Sequence, residues 1–161
     1  MQIDITHKDI QIEQKIITQN VNQYPWPIDN DSVERINCVH VVQMVPNLES
    51  FLREIYRISK PQGQVRIVCP YYSSLKASAD PRNIRFINEY SFVYFDNDFR
   101  KANGLELNDF SFKCVHAGFQ WKSPWDTKSE EVQEDARMHM LNVVEDVMLA
   151  MEVIKPIPVT E

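Results

Sequence analysis

Two side chains in this sequence stand at a spacing that could hold a metal. Cys114 and His116 are two residues apart and so share one face of any strand that carries them. A zinc site needs further ligands at comparable spacing, and the other cysteines, Cys38 and Cys69, are scattered. No metal is therefore expected. An odd, scattered set of three cysteines makes no disulfide framework either. They are expected to be small buried hydrophobes in a reducing, cytoplasmic compartment. The chain has no Gly-x-Ser-x-Gly elbow, no phosphate-binding loop and no His-Glu-x-x-His pair. His40, inside an apolar run, is either a pocket residue or a satisfied structural histidine. Trp26, between Pro25 and Pro27, forms a rigid extended turn and is expected to cap the core.

These residues must be positioned by the elements around them. The alternation of Met1-Gln2-Ile3-Asp4-Ile5 predicts a short strand. The weakly patterned isoleucines from Ile10 to Ile17 fit a strand or a helix, and a strand over 15–21 is expected because it leads into Pro-Trp-Pro. Residues 36–42 form an apolar run suited to a buried strand, stopped at Pro46. Asn47 is an N-cap candidate. Leu48, Phe51, Leu52, Ile55 and Ile58 then recur at helical spacing, with Arg53, Glu54 and Arg57 on the other side. Lys60-Pro61-Gln62-Gly63 is expected to end this helix, with glycine free to take positive φ. Residues 65–69 are the next strand, closed by Pro70. This strand–helix–strand unit builds a parallel sheet by a right-handed crossover.

Beyond Tyr72 the chain is loop-like to Asn83, then rich in aromatic residues from Phe86 to Phe95, then polar over 99–108. Residues 110–121 alternate and predict a strand in the antiparallel part of the sheet. Thr127-Lys128-Ser129-Glu130 has the pattern of a capping box. It is expected to open a long helix to about residue 154, with Val132, Ala136, Met140, Val143, Val147 and Met151 on one stripe. So broad an apolar face covers the sheet or meets another subunit.

With 161 residues the chain is expected to be one domain, 1–161. Its 43% hydrophobic and 25% charged residues are ordinary for a globular protein. A net charge of −6 without a basic stripe argues against a nucleic-acid or anionic-membrane surface. No apolar run reaches membrane-spanning length and no signal-peptide pattern is expected.

Five segments carry a resemblance. They are Tyr24-Pro25-Trp26-Pro27, His40-Val41-Val42-Gln43-Met44, Glu54-Ile55-Tyr56-Arg57, Lys60-Pro61-Gln62-Gly63 and Pro70-Tyr71-Tyr72. Ala79-Asp80-Pro81-Arg82-Asn83-Ile84-Arg85 adds a sixth. Together they resemble the second half of a Rossmann-like S-adenosylmethionine-dependent methyltransferase domain of the type 11 kind. The resemblance implies an α/β fold with helices on both faces of the sheet and S-adenosylmethionine as cofactor. It places Asp4 at the ribose hydroxyls and Asn20, with Val21, at the adenine, with His40 also facing the cofactor. Tyr71, Tyr72, Asp80 and Arg85 would line the acceptor pocket.

The chain also departs from the family pattern. Gln43-Met44 replaces a Glu-His pair, Asn83 replaces a histidine, and no glycine precedes Gly63. The family's first strand and glycine-rich turn are expected to be missing, leaving a truncated domain. Its neighbouring strands would then close up, or a second chain would cover the exposed edge. The expected function is a methyltransferase-like binding or assembly module without efficient catalysis, in a homodimer or with a partner chain. The alternative is an active enzyme on a small-molecule acceptor whose cofactor site is completed by a second chain.

Overall fold

Alternation of buried and open positions dominates the chain, and the architecture follows from it. The computed structural model describes residues 1–6, 10–12, 15–17 and 20–156. In chain order the elements are β1 (Gln2–Ile5), β2 (Ile10–Ile12), β3 (Lys15–Ile17), β4 (Val33–Val39), α1 (Leu48–Ile58) and β5 (Ser59–Pro70). They continue with α2 (Leu75–Ala79), α3 (Asn97–Ala102), β6 (Phe112–Trp121), α4 (Glu130–His139) and β7 (Val144–Val153). The described strands form one seven-stranded sheet in the order β3-β2-β1-β4-β5-β7-β6. β1, β4 and β5 run parallel, and β7 is antiparallel to both β5 and β6.

The core lies on one face of this sheet. Ile3, Ile36, Ile67, Val147 and Leu149 point to it and are at most 1% exposed. α1 buries Phe51, Leu52, Ile55 and Ile58 against the same cluster. Its start is where the sequence put it: Asn47 accepts from the Ser50 amide at 2.9 Å. Trp26 is buried in this core with its ring edge on Phe51, 5.6 Å between centroids.

Several sequence expectations change. Residues 144–153 are a strand, not the end of a long helix. Val147, Leu149, Met151 and Val153 are buried and alternate with partly open Met148, Ala150 and Glu152. Pairing with β5 and β6 on both edges outweighs a pattern that also fits a helix. α4 accordingly stops at His139, before Asn142 takes φ of 61°. The capping box does not form: Ser129 is the N-cap, and Thr127 sits in a 3-10 turn with its hydroxyl donating to the Pro124 carbonyl at 2.9 Å. The apolar stripe expected to cover the sheet or meet another subunit is thus divided between a short helix and a core strand.

The turn at 60–63 lies within β5, at a register shift between Val33 and Arg35 of β4. Gln62, not Gly63, takes the left-handed conformation, with φ of 62°. Gly63 serves by size: a Cβ there would lie 2.9 Å from the Lys60 carbonyl oxygen. α3, capped by Asp96, runs into the first residues of the polar 99–108 stretch. The aromatic segment contributes only the 3-10 turn Val93–Phe95.

Glu54 departs from its expected place as well. Instead of facing solvent it is 6% exposed, accepting from the Trp26 amide at 2.6 Å and pairing with Arg57 at 2.6 Å. Arg57 in turn donates to the Trp26 and Ile28 carbonyls and to Asn30. This pair clamps the Pro-Trp-Pro segment onto α1.

Between β1 and β4 the sheet is continuous, with Ile3 opposite Ile36 and Asp4 opposite Asn37. The face opposite the core is partly open. Across its centre Gln64 and Arg66 are exposed, and the row Asn37, Arg66, Ala150 and His116 runs over it uncovered among the described residues.

Candidate functional site at the carboxyl ends of the central strands

In open parallel sheets, ligands settle beyond the carboxyl ends of the strands. Here those ends are His40 after β4 and Tyr71 after β5. His40 leaves the strand with φ of 53°, its amide donating to the Val68 carbonyl at 2.8 Å. Histidine takes this left-handed conformation more readily than most residues, and such positions gather at functional sites. The 3-10 turn Val42–Met44 then carries the chain over the strand ends and buries Gln43.

A cavity of about 160 Å³ opens at this turn, lined by His40, Gln43, Lys76, Asp80, Arg82 and Asn83. Beneath it Asp146 of β7 organises the charges. One of its oxygens meets His40 Nε2 at 3.4 Å and Lys76 Nζ at 3.0 Å. Lys76 also lies 3.8 Å from Glu145. Arg82 is held by both carboxylate oxygens of Asp80. In this region Gln43 Oε1, Asn83 Oδ1 and Asp146 Oδ1 are buried with no hydrogen-bond partner among the described residues.

The eight residues predicted for cofactor and acceptor do not all meet here. His40 and Asp80 line the same cavity. Tyr71 lies behind it, 1% exposed, its hydroxyl accepting from Arg137 at 2.9 Å and facing Glu89 at 3.2 Å. Burial pushes the Tyr71 phenol up to about 12, with the Arg137 hydrogen bond acting against it. Arg137 also pairs with Glu134 and Glu89 and stacks over Phe119, so Tyr71 belongs to the pin that fastens α4. Tyr72 is exposed and stands edge-on to Tyr71. Arg85 turns away from the cavity and places its guanidinium on the carbonyls of Val42, Val45 and Pro46. Burial lowers its pKa from the ordinary range. It holds the turn in place rather than lining the pocket.

The predicted cofactor residues are dispersed. Asp4 is not at a strand end but within β1, where it accepts from Asn37 Nδ2 at 2.6 Å on the open face. Its cross-strand neighbour Asn37 is three residues short of His40, roughly 10 Å along the strand. Asn20 is exposed and accepts from the Asn22 amide at 3.0 Å, closing its own turn. Val21 is buried in the core. The four thus occupy four different settings: Asp4 on Asn37, Asn20 in its own turn, Val21 in the core and His40 after β4. No group of three or more metal-ligating side chains occurs among the described residues. Cys114 is exposed and bonds weakly to the His116 carbonyl, while Cys38 and Cys69 are buried. Among the described residues no helix is long and apolar enough to cross a membrane.

Sequence reasoning missed Asp146, Lys76 and Arg82 as members of one cluster. Asp146 sits in a segment expected to be helical, and only its pairing opposite Pro70 brings it to the strand ends.

Residues 1–67 match the family model described as a methyltransferase domain. No curated protein is significantly similar in sequence. Among solved structures, a SAM-dependent methyltransferase from Archaeoglobus fulgidus aligns at 16% identity over 87% of this chain and 69% of its own, with TM-score 0.53. The YcgJ protein from Bacillus subtilis aligns at 12% identity over 86% and 73%, with TM-score 0.52. A chain of the complex between the Haloferax volcanii Trm112 methyltransferase activator and a methyltransferase aligns at 14% identity over 84% and 59%, with TM-score 0.51. The protein thus has the Rossmann-like methyltransferase fold. It spans between 59% and 73% of the length of these three relatives in structure.

Proposed function

We propose, from a Rossmann-like methyltransferase fold whose first 67 residues match the methyltransferase domain, that this chain is a binding or assembly module without efficient S-adenosylmethionine-dependent catalysis. The observation that carries this reading is the dispersal of the cofactor set. Methyl transfer needs the sulfonium carbon held in line with its acceptor and shielded from water. Asp4 is tied to Asn37 in mid-strand, Asn20 to its own turn, and Val21 lies in the core. These separate engagements support a chain that does not hold an adenosyl group productively.

The open sheet face supports assembly. Arg35, Asn37, Gln64, Arg66, Met148 and Ala150 line a concavity of about 500 Å³ on it. The face carries charges of both signs, Arg35 and Arg66 beside Asp4 and Glu152, so two copies can set cation against anion. A homodimer through this face is the form proposed, and static light scattering tests it. A clean monomer at micromolar concentration, unchanged by Arg66→Glu, would exclude it.

A second reading keeps S-adenosylmethionine as cofactor and a small-molecule acceptor, with the site completed by another chain. The left-handed His40 at the end of β4 favours it. Calorimetric titration with S-adenosylmethionine and S-adenosylhomocysteine separates the two. Micromolar binding abolished by Asp4→Ala would overturn the first reading; no detectable heat from the folded protein would overturn the second.

A further inference from the structure

We infer that the concavity on the open sheet face binds a small organic anion, a phosphate monoester carried on a flat apolar body. This rests on the module reading and names the ligand the module would take. The observation is where the unengaged cations lie. Arg53, Arg57, Arg82 and Arg137 hold carboxylates, and Arg85 and Arg100 hold backbone carbonyls. The remaining two arginines of the chain, Arg35 and Arg66, hydrogen-bond no oxygen among the described residues, and both line the concavity of about 500 Å³. Arg66 touches only the Met148 sulfur, at 3.7 Å. His116 lines it too, with its ring over Gly118, where a Cβ would come within 3.3 Å of Nε2.

The sheet aims these groups at one place. Arg35 stands opposite Gln64 of β5, and Arg66 is two residues further along the same face. Their Cα atoms are thus about 8 Å apart, and two side chains of that length can close on one group. The planar fork of a guanidinium matches phosphate oxygens in pairs. Ala150, between Arg66 and His116 in the cross-strand row, leaves the centre open, and Met148 and Val115 give it apolar walls. Charge agrees. Glu152, the carboxylate lining the concavity, stands opposite Lys113 of β6, and Asp4 at its border is taken by Asn37. Both set against Arg35, Arg66 and Lys113 leave one positive charge in excess with His116 neutral, which draws an anion. Ligand and second copy need the same arginines, so they exclude one another.

Calorimetry and amide NMR titration of the intact chain with phenyl phosphate test this, with inorganic phosphate, benzoate and benzylammonium as controls. Saturable shifts confined to residues around Arg35, Arg66 and Ala150 are expected. Inorganic phosphate, without the apolar body, and benzoate, with a single charge, should each bind about tenfold more weakly. Benzylammonium, the same body with the opposite charge, should not bind. Arg35→Gln and Arg66→Gln should each weaken phenyl phosphate about tenfold, and Lys101→Gln, which removes a positive charge outside the concavity, should not. Both arginines are exposed, so these variants keep the fold. No saturation with phenyl phosphate at low or high protein concentration, equal binding of inorganic phosphate or benzylammonium, or unchanged affinity in both arginine variants would each overturn the inference. Light scattering without ligand reports on the dimer alone. A monomer that binds phenyl phosphate removes the proposed dimer and upholds the inference; a dimer that phenyl phosphate neither enters nor dissociates overturns the inference and leaves the dimer standing.

Discussion

Replacing Glu54 by alanine should destabilise the protein by about 3 kcal/mol, and the sum can be worked from its contacts. The carboxylate accepts from the Trp26 amide at 2.6 Å in a buried setting. Leaving that donor unmatched costs about 1–3 kcal/mol. The Arg57 guanidinium loses its ion pair, but it is 28% exposed and keeps the Trp26 and Ile28 carbonyls and Asn30. Its share is therefore discounted to about 1 kcal/mol rather than the 3–5 kcal/mol of a fully buried broken pair. Alanine's higher helix propensity returns a few tenths of a kcal/mol. With a urea m-value of about 2 kcal/mol per molar, the unfolding midpoint should fall by about 1.5 M. Glu54→Gln keeps an acceptor for Trp26 and removes only the charge, so it should cost about 1 kcal/mol. The reasoning fails if Glu54→Ala costs less than about 1 kcal/mol, or if glutamine is as damaging as alanine.

Strand β7 can be distinguished from a helix by its period. Leu149→Asp should unfold the protein, whereas Ala150→Asp, one residue on and facing the open side, should be tolerated to within about 1 kcal/mol in urea melts. Truncating Trp26 to alanine should cost about 3–5 kcal/mol, since its side chain is buried against Phe51; calorimetric unfolding measures it. Stability should also fall at high pH. Tyr24 and Tyr71 are both pushed up to about 12, chiefly by burial. Their contribution is intact below about pH 10, where the unfolded chain begins to ionise, and is lost as pH rises through the folded values. Urea titrations over that range should show the fall, and Tyr71→Phe should reduce it.

Much of this protein was legible without its fold. The Asn47 cap, the 3.6-residue spacing of Phe51, Leu52, Ile55 and Ile58, and the apolar runs on either side specify a strand–helix–strand unit, because these signals are local. Trp26 between two prolines announced a core residue for the same reason. Other features depended on which segments became neighbours. Residues 144–153 satisfy a helical stripe and a strand alternation equally well, and only hydrogen bonding to β5 and β6 selects the strand. That choice carries Asp146 to the strand ends and creates the cluster with His40 and Lys76, whose members lie up to 106 residues apart in sequence. Glu54 seemed solvent-facing because periodicity marks a helix face but not what another loop lays over it. Asp4 was placed correctly on a strand, yet its pairing with Asn37 belongs to register, and register is settled by the whole sheet rather than by any one strand.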